Sequence, residues 1–180
     1  SEQTNVSNLV LKTGNSQLKM NLRAESGISD FGMETPIQLS IDGNIAGQDV
    51  LLFLPDSNDQ ITNWLSDKIF SLSGLVKGKV DQLNITRFEI GATDGFSLKS
   101  EGSVSCVTDM EKMAGELNLA FVVDRGAYFA PLLSENEEVG FVLPDHLSLT
   151  TDVTIANRTA KVDMKLKPGG GILHAVADFA

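Results

Sequence analysis

The feature that most limits the possible folds of this chain is a strict alternation of apolar and polar residues. Residues 160–166 read Ala-Lys-Val-Asp-Met-Lys-Leu, so apolar side chains occupy every second position. Successive side chains of a β-strand point to opposite faces, and a period of two therefore predicts a strand with one buried and one solvated face. The same alternation returns along most of the 180 residues. It predicts an all-β protein.

The alternating segments together predict one apolar surface. We expect a mostly antiparallel fold, either a long curved sheet or a groove-like solenoid, in which these side chains line the inner wall. The predicted lining consists of Leu18, Met20, Leu22, Ile37, Leu39, Ile41, Phe96, Leu98, Val104, Leu117, Leu119, Phe121, Leu147, Leu149, Val153, Ile155, Val162, Met164 and Leu166. Aromatic residues make up only 6% of the chain, so the wall is mainly aliphatic.

Polar turn signals separate the strand-like segments. Turns are predicted at Thr13-Gly14-Asn15, Asp42-Gly43-Asn44, Asp94-Gly95 and Asn157-Arg158. The clearest hairpin joins residues 146–156 to residues 159–167, because both arms alternate. The dense apolar stretch Val50–Leu54 is predicted to be one buried strand.

One segment departs from the period of two. Apolar residues between Asp59 and Leu72 recur every three or four positions, which predicts a short amphipathic helix. We expect the apolar side of this helix to plug the lined surface. The side chains concerned are Ile61, Trp64, Leu65 and Ile69. A helix lying on a membrane surface is the alternative. The polar side of this segment holds a single lysine, Lys68, so packing against the protein is favoured.

The apolar parity also slips in the middle of the chain. Val76 and Val80 share one parity, Leu83 and Ile85 the other, and Phe88 returns to the first. A one-residue slip turns every following side chain to the opposite face, so each slip predicts a bulge or a turn.

Weak internal repeats point to a repetitive architecture. Residues 11–19 resemble residues 90–99, with Gly14 and Gly95 in similar places. We interpret the whole chain, residues 1–180, as a single β-rich section of a larger repetitive protein, with repeats at about 9–50, 74–125 and 143–180.

Composition excludes several classes of partner. The net charge of −10 is the opposite of the basic surface that nucleic-acid binding requires, so no nucleic acid is expected. The single cysteine, Cys106, excludes an internal disulfide. No run of about 18 apolar residues is present, so any membrane anchor is expected outside this segment.

The sequence offers no catalytic or metal-binding constellation. His146 and His174 are far apart and form no metal-ligand spacing. The acidic stretch at residues 56–59 lacks the glycine and glutamate of a calcium loop, and is interpreted as a solvated loop. No nucleophile motif or phosphate-binding loop is found. We therefore expect a non-enzymatic protein without catalytic residues, metal or cofactor.

Three phrases resemble segments of the TamB/AsmA-like family of envelope proteins. They are residues 36–45 (Pro-Ile-Gln-Leu-Ser-Ile-Asp-Gly-Asn-Ile), 74–80 (Gly-Leu-Val-Lys-Gly-Lys-Val) and 94–104 (Asp-Gly-Phe-Ser-Leu-Lys-Ser-Glu-Gly-Ser-Val). Residues 143–149 (Leu-Pro-Asp-His-Leu-Ser-Leu) fit the same pattern, and the resemblance spans residues 9–167.

The resemblance implies a periplasmic protein whose parent is anchored in the inner membrane of a Gram-negative envelope. It implies an apolar-lined β-groove, called a β-taco, that carries lipid between membranes or assists outer-membrane protein translocation and assembly. The implied partners are lipid acyl chains and an outer-membrane barrel assembly protein. A closed β-sandwich that serves as a structural or protein-interaction module is the alternative, because a dry core and an open groove both require one apolar face.

Overall fold

The structure, a computed structural model, describes residues 3–54, 58–93, 95–109, 111–133, 143–156, 159–168 and 171–179. The described residues form ten strands. They are β1 (Thr4–Lys12), β2 (Gln17–Ala24), β3 (Pro36–Ala46), β4 (Ile69–Lys79), β5 (Gln82–Ala92), β6 (Phe96–Ser105), β7 (Ala114–Val123), β8 (Leu147–Ala156), β9 (Thr159–Lys167) and β10 (Leu173–Phe179).

All ten strands belong to one antiparallel sheet in the order of the sequence, β1 to β10. Each strand pairs with its neighbours in the chain, and β1 and β10 are the two edges of an open sheet. The predicted all-β, antiparallel fold class is confirmed. The hairpin predicted at residues 146–167 is also confirmed, since Ala156 pairs with Thr159. Its turn residues, Asn157 and Arg158, lie outside the described residues.

The register aligns the apolar positions of successive strands. Side chains of directly paired residues share one face of an antiparallel sheet, so the pairing defines rows that cross all ten strands. Row 1 consists of Leu11, Leu18, Gly43, Leu72, Ile90, Leu98, Phe121, Leu149, Leu166 and Leu173. Row 2 consists of Leu9, Met20, Ile41, Gly74, Phe88, Ser100, Leu119, Thr151, Met164 and Ala175. Row 3 consists of Val6, Leu22, Leu39, Val76, Ile85, Gly102, Leu117, Val153, Val162 and Ala177. Row 4 consists of Thr4, Ala24, Ile37, Gly78, Leu83, Val104, Gly115, Ile155, Ala160 and Phe179.

A bulge keeps the middle of the chain in register. The pairing of β5 with β4 and with β6 shifts between Ile85 and Phe88, so both residues stay on the same face. The other slip, after Val80, coincides with the turn between β4 and β5. The two predicted parity slips therefore correspond to a turn and a bulge.

Short helices lie between strands. They are α1 (Gly47–Leu51), α2 (Asp59–Ser66) and α3 (Ala130–Leu133), with single 3₁₀ turns at Ile28–Asp30 and Gly126–Phe129. The predicted helix over 59–72 exists, but it ends at Ser66. Ile69 is not part of the helix. It begins β4 with 60% of its surface exposed, and it cannot serve in the predicted plug.

Two further predictions were wrong. Val50–Leu54 is not a buried strand: Val50 and Leu51 end α1, and Leu52 and Phe53 are 75% and 83% exposed. Asp42-Gly43-Asn44 is not a turn but the continuation of β3. Gly43 has a φ of +153°, and a Cβ there would lie 2.0 Å from the Gln17 carbonyl oxygen. Glycine is therefore required by a close approach of two strands, and not by a chain reversal.

The most buried apolar residues gather near one rim of the sheet, where β3 ends and β4 begins. We call it the upper rim. Ala46, Leu65, Phe70, Leu72, Val123 and Leu147 are buried there, whereas Ala24 is buried near the opposite ends of the strands. The upper rim is also where α1, α2 and α3 are connected, so the helices enclose a small core at one side of the sheet.

Candidate functional site

The candidate site is the apolar face of the sheet, defined as rows 1 to 4. The structure places all nineteen predicted lining residues on this face. Seventeen of them belong to the four rows, and Phe96 and Leu147 lie one step nearer the upper rim, where both pair with Val123. That they line a lipid-binding groove stays a prediction.

Sequence reasoning missed much of this face. Strands β4 and β5 contribute Val76, Ile85 and Phe88, which the parity slips had concealed, and Leu72, which had been assigned to the predicted helix. The edge strands contribute Leu9, Leu11, Leu173 and Phe179. The alternation in β1 is broken by a register shift between Val6 and Leu9, which hides the pattern there.

No second layer of strands covers the apolar face within the described part of the chain, because every strand belongs to the one sheet. Side chains in the middle of the face are half-buried by their row neighbours. Exposure rises at the edges, reaching 50% at Leu11 and 62% at Leu173. The face is therefore a broad, partly solvated apolar surface.

Its dimensions follow from sheet geometry. Neighbouring strands are about 4.8 Å apart, so a row through ten strands is roughly 43 Å long. Residues two apart along a strand are separated by about 6.8 Å, so four rows are roughly 20 Å wide. The long axis of the face runs across the strands.

An aromatic cap covers part of the face at the upper rim. We define it as Trp64, Phe70, Phe96, Phe121, Tyr128 and Phe129. The Trp64 ring lies 5.7 Å from that of Phe129 and 6.2 Å from that of Phe70, measured between centroids. Phe96 lies 6.0 Å from Phe70, although a whole strand separates β4 from β6. Ala92 ends the intervening strand and pairs with Phe96, and its small side chain lets the two rings meet.

Polar contacts hold the cap together. The Trp64 indole Nε1 donates a hydrogen bond to the Tyr128 carbonyl oxygen at 2.8 Å, which joins α2 to the turn at Gly126–Phe129. Gly95 packs flat against the Tyr128 ring, and a Cβ at Gly95 would lie 2.6 Å from it. The Lys68 ammonium lies 5.5 Å from the centroid of the same ring. Helix α2 is thus fastened to the 3₁₀ turn Gly126–Phe129 over the sheet.

Tyr128 is the one titratable residue among the six that define the cap. Burial, with the nearby Asp67 carboxylate as a smaller cause, raises the pKa of its phenol. Its hydroxyl is buried without a hydrogen-bond partner among the described residues. The phenol therefore stays neutral in the physiological range.

A second fastening lies at the β1 side of the upper rim. The Asp49 carboxylate of α1 accepts hydrogen bonds from the hydroxyls of Ser16 and Thr13 in the β1–β2 turn. Ser16 Oγ in turn accepts the backbone N–H of Ala46 at 2.8 Å. The hydroxyl donors lower the pKa of Asp49, so its charged form is the stable one in the folded chain.

The opposite face of the sheet is polar. Its alternate positions carry residues such as Lys99, Glu116 and Lys165. A shallow cavity of about 650 Å³ on this side is lined by Asn84, Glu101, Glu116, Asn118 and Asp152. Among the residues described, no three His, Cys, Asp or Glu side chains are placed to hold a metal ion. The side chains of this face suit contact with water.

Comparison with known proteins identifies no relative. No protein-family model, no curated protein and no solved structure matches the chain. In the part that the structure describes, no helix is both long and apolar enough to cross a bilayer. The fold and the face thus define the chain as an open, ten-stranded antiparallel sheet with one apolar and one polar surface.

Proposed function

We propose that the apolar face binds lipid acyl chains and that the chain is a non-enzymatic lipid-binding section of an envelope protein. The observation that carries the proposal is the continuity of the rows. Row 1 crosses all ten strands with apolar side chains at every position except Gly43. Among the described residues no second β-layer covers the rows, and the cap reaches row 1 at Phe121.

The energetics favour acyl chains as ligands. Each methylene transferred from water to an apolar surface contributes about 0.8 kcal/mol without any directional contact. An acyl chain that fills half of a bilayer core extends about 15 Å, so a row roughly 43 Å long accommodates more than one chain end to end. Aliphatic residues such as Leu98, Leu149 and Leu166 suit a ligand without polar features.

The cap limits where a ligand lies. Near the upper rim Tyr128 and Phe129 cover Phe96, and Phe129 also covers Phe121. Rows 2 and 3 lie farther from the cap, and an acyl chain along them runs past α2 without displacing it. The helix then acts as a wall of the site, in contrast to the predicted plug.

The biological context is proposed from the sequence resemblance. The TamB/AsmA-like phrases suggest intermembrane phospholipid transport, or translocation and assembly of outer-membrane proteins with a barrel partner, in the periplasm. The combination of an apolar inner wall with a polar outer face and a net negative charge supports such a role. The polar, charged face keeps a protein with a large apolar surface dissolved in an aqueous compartment. The proposed anchor in the inner membrane lies outside this segment.

Fluorescent fatty-acid binding tests the proposal. We expect saturable uptake of dansylated undecanoic acid by the intact chain. Leu149→Asp should weaken the uptake at least about tenfold, because a carboxylate on the face stays hydrated and excludes an apolar ligand. The matched control is Thr150→Asp, which adds the same charge one residue away on the polar face opposite Lys165.

Folding is checked independently. Met164→Asp is a second face variant that is less disruptive, since Met164 is already 36% exposed. Circular dichroism should show the same strand content in all three variants. A folded chain that takes up no probe, or equal uptake by the Leu149 and Thr150 variants, would refute acyl-chain binding and favour the structural or protein-interaction alternative.

A further inference from the structure

Hydroxyl groups on the apolar face carry the next inference. Rows 1 to 4 contain three hydroxyl side chains, Thr4, Ser100 and Thr151. Thr4 lies at the edge of the sheet and donates a hydrogen bond to the Ser26 carbonyl oxygen at 2.8 Å. Ser100 and Thr151 lie in row 2 on the interior strands β6 and β8, and neither hydroxyl has a hydrogen-bond partner among the described residues. Two polar groups in the middle of the face are thus left to water or to a ligand.

Thr151 is the more enclosed of the two. It is 8% exposed, and Thr35 is the other polar residue buried to this extent in the described chain. The Thr35 hydroxyl accepts the backbone N–H of Gly32 at 2.9 Å, as expected because a buried polar group without a partner costs free energy. The Thr151 hydroxyl lacks such a partner among the described residues, yet it is not sealed from solvent as the Ser26 and Tyr128 hydroxyls are. A molecule bound to the face can therefore reach it.

The two hydroxyls stand on either side of one leucine. Leu119 pairs directly with Ser100 on β6 and with Thr151 on β8. Neighbouring strands are about 4.8 Å apart, so Ser100 and Thr151 are roughly 9.6 Å apart along row 2. On the same strand as Thr151, Leu149 and Val153 continue rows 1 and 3. Ser100 and Thr151, which we call the polar spot, are therefore surrounded by aliphatic side chains.

A pure hydrocarbon is a poor ligand for the polar spot. Water satisfies hydroxyls on a free surface, but an alkyl chain lying over them displaces the water and leaves them unpaired, which weakens binding. A carbonyl oxygen in the ligand accepts their hydrogen bonds and removes this cost. A carboxylate also accepts them, but burying its charge among aliphatic side chains costs more than burying a neutral ester. The neutral ester carbonyl is therefore the best match.

We propose that Ser100 and Thr151 donate hydrogen bonds to the ester carbonyl oxygens of a glycerolipid, whose acyl chains lie along the apolar rows. The inference rests on the proposed function and narrows it, because it makes an acyl ester the preferred ligand. Row 2 lies farther from the cap than row 1, so an ester group placed there leaves the contact between Trp64 and Tyr128 in place.

A matched pair of short phosphatidylcholines tests the proposal. Dihexanoylphosphatidylcholine carries two ester carbonyls, and its dihexyl ether analogue has the same head group and chain length without them. Displacement of dansylated undecanoic acid from the intact chain, below the concentrations at which the lipids form micelles, measures both affinities. We expect the diester to bind about fivefold more tightly than the diether, which is the effect of one net hydrogen bond.

Four variants locate the preference. Thr151→Val keeps the shape of the side chain and should reduce the preference for the diester, and adding Ser100→Ala should abolish it. Thr151→Ser retains a hydroxyl and should keep the preference. Thr150→Val is the matched control, because it makes the same exchange one residue away on the polar face. Without ligand, Thr151→Val should raise the urea midpoint of unfolding, since it removes a buried hydroxyl that lacks a partner.

The outcomes separate this inference from the proposed function. A folded chain that takes up neither the dansyl probe nor either lipid would refute both. Uptake of the probe with equal affinities for diester and diether would overturn this inference and leave acyl-chain binding in place. A preference that survives in the double variant, or that Thr150→Val weakens as much as Thr151→Val does, would also overturn it. A lower urea midpoint for Thr151→Val would mean that the hydroxyl is already bonded within the chain, with the same result.

Discussion

At the residue scale, glycine determines how closely the strands approach on the apolar face. Gly43 and Gly102 occupy rows 1 and 3, and both have positive φ angles within a strand, +153° and +145°. A Cβ at Gly102 would lie 2.1 Å from the carbonyl oxygen of Glu116. Only a residue without a side chain fits these positions, and each leaves a gap in a row of larger side chains.

Gly102→Ala should therefore destabilise the chain by at least about 2 kcal/mol, from backbone strain together with the clash against β7. The measurement is the free energy of unfolding in urea. Gly14→Ala is the matched control, because nothing lies within 4 Å of a Cβ there, and it should change stability by less than about 0.5 kcal/mol. Equal effects of the two substitutions would contradict the close approach at Gly102.

Also at the residue scale, we expect Asp49 to make the stability of the folded chain depend on pH. Its pKa in the folded chain is lowered below the ordinary value of 3.8, first by the Ser16 hydroxyl and then by the Thr13 hydroxyl. A carboxyl whose folded pKa is lowered contributes stability above its unfolded pKa, and that stability is lost as the pH falls through the folded pKa. The contribution is thus present at neutral pH and disappears in acid.

We expect the stability difference between the natural chain and Asp49→Asn to be constant near neutral pH and to shrink below about pH 4. Urea unfolding at a series of pH values measures it. Thr13→Val removes one of the two hydroxyl donors and should lose part of the same pH dependence. A difference that grows in acid would have the wrong sign and would refute this role of Asp49.

At the scale of elements, the two ends of α2 are set by particular residues. The Asn58 side chain accepts the backbone N–H of Ile61 and begins the helix, and Asp67 ends it with a non-helical backbone. After Asp67 the chain joins the sheet directly, so Phe70 and Leu72 follow strand parity. Ile69 and Leu72 lie four and seven residues after Leu65, a spacing that also suits a helix. Pairing of β4 with β3 and β5 overrides the local pattern.

The cap provides a prediction at this scale. Trp64→Phe keeps an aromatic ring against Phe70 and Phe129 but removes the hydrogen bond to the Tyr128 carbonyl oxygen, and should cost about 1 kcal/mol. Trp64→Ala also removes the ring contacts and should cost roughly 2–4 kcal/mol. Unfolding followed by circular dichroism measures both. Equal costs would mean that the ring contacts in the cap contribute little.

At the scale of the whole molecule, the sheet resembles a repeat protein in its energetics. Each strand contacts mainly its neighbours in the chain, so stability is close to a sum of neighbouring interfaces, and the edge strands are the least protected. A single layer keeps its apolar face available to a ligand at the cost of leaving that face half-solvated. The proposed lipid uptake depends on this architecture, and Leu149→Asp tests it.

The local sequence determined the elements of this protein. Alternation predicted the strands and the shared face of Leu18, Leu98 and Leu166, because the period of side chains in a strand is intrinsic to the extended backbone. The spacing of Ile61, Trp64 and Leu65 likewise predicted α2. These features depend on a few neighbouring residues, and pattern alone reveals them.

The tertiary structure decided what local pattern could not. Asp42-Gly43-Asn44 has the composition of a turn, yet Gly43 continues β3 because the neighbouring strand approaches too closely for a side chain. The end of α2 before Ile69, the bulge that brings Phe88 into row 2 and the meeting of Trp64 with Tyr128 all depend on residues distant in the chain. Whether the apolar face is sealed or open is likewise a property of how strands pair. Alternation requires only that one face avoid water, and the arrangement of ten strands in one open sheet leaves that face without a second β-layer in the described chain.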